Sequence, residues 1–262
     1  MAKFSEYDND ELSMLEEEHE KRGIFAFFDI LFNKFLKFMN INFLYILFGL
    51  PYMLFLFYFS PIYYPGELLL DAILRAFFAL TVFLLWGCGP VSTGVAYVLR
   101  NYARREHAWI WADYIAAIKD NFKQGVAMLI MDIVAIYLLR TVVNFYILYG
   151  VKLFGMGMYV VLMCLIAIFT LLYTFMHFYI YQFIVTYEDK LKQHLKNAML
   201  FAMIKWLPNL LIFVGITAIT FLLFWVFQLF ALVPYVIVLT IVLVFVIHFY
   251  SSRTIARTLN KQ

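Results

Sequence analysis

Apolar residues along this chain gather into six long runs: Ile41 to Phe59, Ala72 to Leu99, Val126 to Leu148, Met156 to Ile184, Met199 to Val226 and Leu229 to Tyr250. Hydrocarbon about 30 Å thick is crossed by roughly 20 residues of helix, and each run supplies about that length. Lipid offers no hydrogen-bond partners to an open backbone, so every run is expected to be helical. The short connections at Ser60 to Leu70 and around Phe227 predict helical hairpins. The expected fold is therefore all-α: a polytopic membrane bundle of six transmembrane helices with short amphipathic interfacial helices.

Helical spacing also marks the segments that enter these runs. Phe25, Phe28, Phe32, Phe35 and Met39 recur on one face, and Trp111, Ile115, Ile118 and Phe122 on another, each flanked by charged positions. Both read as helices lying in the cytoplasmic interface. Leu191 to Asn197 forms a third, weaker lead-in. The chain thus divides into residues 1–22, an acidic cytoplasmic tail expected to be flexible, and a single transmembrane domain over 23–262. Within that domain three hairpin units are suggested, 24–100, 108–184 and 190–252. Their support is similar lead-in text: Asn33-Lys34-Phe35, Asn121-Phe122-Lys123 and Lys196-Asn197.

Composition agrees with the pattern: 65% of residues are hydrophobic and 14% charged, with mean hydropathy +0.86. Charge adds orientation. Lys34 and Lys37, then Arg100, Arg104, Arg105, Lys119 and Lys123, then Lys190, Lys192 and Lys196, and finally Arg253 and Arg257 occupy every second connection. Positive residues beside spans stay in the cytoplasm, so both termini are expected on the cytoplasmic side of a bacterial cytoplasmic membrane. The same rule accounts for the basic residues without nucleic acid. The polar, acidic start lacks a cleavable signal, and the first span is the expected insertion signal. Cys88 and Cys164 both fall in apolar runs, which suits packing and excludes a disulfide framework.

Candidate chemistry sits at interruptions of the runs. Gly87-Cys88-Gly89-Pro90 should kink or unwind the second span near mid-membrane, with Ser92 and Thr93 placed to bond the freed carbonyls. Such a break can expose backbone dipoles to an ion or solute, or simply let helices pack closely. Asp132, His177, Lys205 and Asn209 fall at similar depth near the cytoplasmic side and form a candidate polar pocket, since buried ionisable groups face a bundle interior or a cavity. In the alternative arrangement Asp132 pairs with Lys205 while His177 bonds a neighbouring helix. Asp71 and Arg75, four apart, can pair at the outer interface; Arg140 either joins them or snorkels outward. No metal-ligand spacing, nucleotide loop or nucleophile–base arrangement is visible, so neither catalysis nor a cofactor is expected.

The stretch Gly89-Pro90-Val91-Ser92-Thr93-Gly94, followed by Tyr97-Val98, Arg100, Asp113-Tyr114 and Lys119-Asp120-Asn121-Phe122-Lys123-Gln124, resembles the YesL-like family of bacterial membrane proteins, also called domain of unknown function 624. The resemblance runs from about Phe28 to beyond Asn209; the acidic tail departs from it. It implies a non-enzymatic membrane protein associated with carbohydrate uptake, with an ABC-type sugar permease as a partner alongside the lipid bilayer. It assigns neither catalytic residues nor a substrate. The second reading is a small solute or ion transporter using the broken second helix. Oligomeric state is open, because lipid-facing and partner-facing surfaces look alike.

Overall fold

The computed structural model describes residues 23–62 and 66–259; the acidic stretch 1–22 lies outside them. All regular elements among the described residues are helical. The chain runs through α1 (Gly23–Asn33), α2 (Phe35–Tyr58), α3 (Leu68–Trp86), α4 (Gly89–Ala103), α5 (Ile110–Asp120) and α6 (Phe122–Phe145). A π turn, Tyr146–Gly150, leads to α7 (Val151–Thr186), followed by α8 (Leu191–Ile204), α9 (Trp206–Phe227) and, after short irregular turns, α10 (Thr240–Leu259).

Five helical stretches are long and apolar enough to cross a membrane: Phe35–Tyr58, Leu68–Trp86, Phe122–Thr186, Trp206–Phe227 and Leu232–Thr258. The third holds 65 residues, which as one straight rod would measure about 100 Å. It reverses instead at Gly155, whose φ of 75° and ψ of 163° are non-helical. Asp132 of α6 meets His177 of α7 at 2.9 Å, and Gln124 Nε2 donates to the Asp189 carbonyl at 3.1 Å. Both contacts join positions nearly equidistant from that glycine, as an antiparallel hairpin requires.

One bend recurs three times. Between α1 and α2, Lys34 adopts φ −113°, ψ 18°; between α5 and α6, Asn121 adopts φ −105°, ψ 14°; between α8 and α9, Lys205 adopts φ −103°, ψ 28°. Each lies in the bridge region beside the α well. At each, the residue's own N–H still reaches the carbonyl four back, and its carbonyl accepts from four ahead. The ladder is thus held on both sides of a one-residue elbow. An aromatic residue follows each: Phe35, Phe122 and Trp206. The third elbow corrects the expected lead-in text, because Lys196-Asn197 lies inside α8. It also divides the expected fifth run, leaving Met199 to Ile204 in the lead-in helix.

Packing repeats with the elbows. The inner ring is α4, α7 and α10, each in contact with the other two. Each lead-in helix lies on the inner helix of the unit before it: α5 on α4 and α8 on α7. The circle closes where Phe27 of α1 stacks on Phe245 of α10 at 5.0 Å and meets Phe249 edge-on at 5.5 Å. The helices after the elbows follow suit, with α6 against α4, α9 against α7 and α2 against α10. On α1 the buried side is Ala26, Ile30 and Leu31, while Phe25, Phe28 and Phe32 point outward. An outward apolar face on a lead-in helix suits burial among lipid headgroups and upper chains.

Candidate functional site

The expected break is present. α3 ends at Trp86; Gly87 (φ 78°, ψ −160°) and Gly89 (φ 46°) take conformations closed to most side chains, and Pro90 sits in the first turn of α4. Proline suits that turn, where its missing N–H would have no intrahelical partner anyway. The amides of Cys88 and Gly89 are bonded within the protein. Cys88 N–H donates to Ser92 Oγ at 2.7 Å, Gly89 N–H donates to the Tyr181 hydroxyl at 3.1 Å, and Thr93 Oγ1 donates to the Pro90 carbonyl at 2.7 Å. Ser92 therefore satisfies an amide where a carbonyl was expected, and Thr93 bonds a carbonyl three residues back in its own helix instead of one freed before the break. Packing is equally tight: a Cβ on Gly89 would lie 2.6 Å from the Gly125 carbonyl, and one on Gly125 2.7 Å from Pro90 Cα.

One face of α7 buttresses this break. Tyr173, His177 and Tyr181 recur at four-residue spacing, one above the other. His177 Nε2 lies 2.9 Å from Asp132 Oδ1, with neither side chain exposed. The Tyr173 hydroxyl donates to the same oxygen at 2.7 Å. His177 Nδ1 lies 2.9 Å from the Tyr173 carbonyl, which can only accept, so Nδ1 carries a proton. One further proton then lies between Nε2 and Oδ1, as imidazolium with carboxylate or as imidazole with carboxylic acid. In either form the pair is neutral as a whole, which a buried site requires. Trp86 stacks on the imidazole, centroids 5.5 Å apart and planes 15° from parallel, and donates to Thr174 Oγ1 at 2.9 Å. Asp132 Oδ2 and the Tyr52 hydroxyl are buried without a protein partner. A cavity of about 20 Å³ beside Ser92, His177, Tyr181 and His248 holds room for a single water.

The candidate pocket of four residues divides. Asp132 pairs with His177, whereas Asn209 faces another side of α7 and accepts from the Tyr179 hydroxyl at 2.7 Å. Lys205 is the third elbow and borders a separate cavity with Tyr187 and Asp189. The alternative Asp132–Lys205 pair is likewise replaced by Asp132–His177. The physical reason is rotation: residues 177 and 179 of one helix point about 200° apart. Asp71 and Arg75 do pair, at 2.7 Å. Arg140 instead donates to the Tyr58 carbonyl at 3.0 Å, serving the carboxyl end of α2.

Several polar groups escaped sequence reading. Gln182 Nε2 lies 2.8 Å from His248 Nδ1 and 3.5 Å from the Ala96 carbonyl, tying the three inner helices at one point. Asn42 Nδ2 donates to the Val236 and Ile237 carbonyls at 2.7 Å each, in the π turn before α10. The available signal was a lone amide or imidazole within an apolar run, the same signal that singled out Asp132 and His177. Comparison of the chain with protein-family models, curated proteins and solved structures returned no match.

Proposed function

We propose that this chain is a non-enzymatic multi-pass membrane protein of six spans that works as an accessory or regulatory partner of a carbohydrate uptake system. The six spans are α2, α3 with α4, α6, α7, α9 and the stretch ending in α10. Lead-in helices and elbows lie on the cytoplasmic side of a bacterial cytoplasmic membrane, with both termini there. Lysines and arginines cluster on the side of the elbows, in keeping with that orientation. The observation that carries the accessory reading is the filled break: each amide freed at Cys88 and Gly89 meets a side-chain oxygen. A solute site built on a broken helix would leave such groups to its cargo. The import partner, an ABC-type sugar permease, comes from the YesL-like resemblance. Affinity purification of the natively expressed chain in mild detergent tests it. A stoichiometric sugar permease is the expected result; a clean monomer or self-oligomer overturns it.

The second reading is a small transporter or channel, and the buried Asp132–His177 pair favours it, because intramembrane ionisable groups commonly mark ion pathways. It predicts flux in liposomes that is lost in Asp132→Asn, and an absence of flux with the unaltered chain overturns it.

A further inference from the structure

An apolar groove of about 440 Å³ opens beside the broken helix. Pro51 lines it from α2, Ile115, Ile118 and Phe122 from the α5–α6 elbow, and Cys88 and Pro90 from the break. The Gly89–Gly125 contact seats α6 against the break, so the groove's inner surface is fixed by backbone packing. Its outer end can be placed by helical position. Trp111 is exposed and lies seven residues before Ile118, hence on the same face of α5. Tryptophan there belongs at headgroup depth. The groove therefore runs from the interface to the level of the break, the path taken by a lipid tail.

Charge at the mouth is one-sided. Lys119 and Lys123 are exposed and directly follow the groove residues Ile118 and Phe122. The neighbouring acids, Asp113 and Asp120, turn to the opposite face of α5, where they line a different cavity with Glu188 and Asp189. A tail in the groove thus carries its headgroup toward two cations and away from the acids. We infer that this groove binds one acyl chain of an anionic phospholipid, its headgroup held by Lys119 and Lys123. Apolar fit alone selects no lipid, since every tail is equally apolar; the lysines give the selection. Each is expected to favour an anionic headgroup about five-fold, from roughly 1 kcal/mol per basic residue near the membrane surface.

The inference rests on the proposed placement of α5 in the interface. Its test is native mass spectrometry of the full chain in mild detergent, offered phosphatidylglycerol or phosphatidylcholine with identical tails. Retention of one phosphatidylglycerol is expected, preferred about twenty-five-fold over phosphatidylcholine. The preference should vanish in the Lys119→Gln, Lys123→Gln double variant. Val91 and Leu129 also line the groove; filling it with Val91→Trp should abolish retention of both lipids, and Leu129→Phe replaces it if the first variant does not fold. Equal retention of the two lipids, or unchanged retention after filling, overturns the inference. Retention in detergent is independent of orientation. Labelling of Lys119→Cys from outside intact cells would overturn the cytoplasmic placement while leaving the lipid site standing.

Discussion

Gly87 and Gly155 hold nearly the same backbone conformation, φ 78°, ψ −160° and φ 75°, ψ 163°, in opposite surroundings. Both lie in a region essentially closed to residues with a Cβ. Around Gly87 a Cβ would run into Ser92 Oγ and lie 3.0 Å from the Tyr181 ring; around Gly155 nothing lies within 4 Å. The first glycine interrupts a helix inside the bundle, where Ser92 and Tyr181 accept from the two amides that follow it. The second turns the chain near the start of α7, with open space where a Cβ would lie. One backbone device therefore serves two ends: an internal break defined by its surroundings, and an external reversal defined by the residue alone.

The comparison can be broken most severely from the buttress. His177→Ala removes the proton partner of buried Asp132 and the stacking surface of Trp86, and is expected to cost about 3–5 kcal/mol. Thermal unfolding in detergent reads this loss. The double variant Asp132→Asn, His177→Gln restores a neutral hydrogen-bonding pair and should recover most of the midpoint. Next, Gly87→Ala adds steric collision to backbone strain and should cost about 2–4 kcal/mol. Gly155→Ala meets strain alone, at about 1–2 kcal/mol. Equal losses at the two glycines would erase the distinction between them. Ser92→Ala, which strips one hydrogen bond from the break, should cost about 1 kcal/mol.

The smallest effect lies away from both glycines. His194 on α8 is buried, and burial lowers its pKa below the usual histidine value. The folded state therefore takes up a proton less readily than the unfolded chain, so stability is full above about pH 6.5 and declines as the pH falls below it. Acidification should lower the unfolding midpoint, and His194→Gln should flatten that slope.

The break was legible in the sequence because glycine and proline act locally: whatever surrounds Gly87 to Pro90, a regular ladder cannot pass through. Asp71 and Arg75 were legible for the same reason, being neighbours on one helix turn. The partner of Asp132 was not. Depth along a span placed His177, Lys205 and Asn209 alike, but partnership depends on which helices adjoin and on the rotation of each about its axis. Phe35 and Met39 show another limit. Their spacing continues the pattern of α1 through Lys34, because a one-residue elbow leaves the helical period almost undisturbed. Only the polar residue followed by an aromatic, seen at all three elbows, marks it.

The circular packing has a consequence for synthesis. α1 is made early, yet its Phe27 rests on Phe245 and Phe249 of α10, the last of the described helices to leave the ribosome. Asn42 likewise waits for the carbonyls of Val236 and Ile237. Until α10 arrives, the first hairpin sits in the bilayer with an unpaired amide and uncovered rings, a form suited to recognition by membrane quality control. Arrival of α10 is thus the event that closes the bundle, and a product stopped before it should be degraded even though most of the described helices have been made.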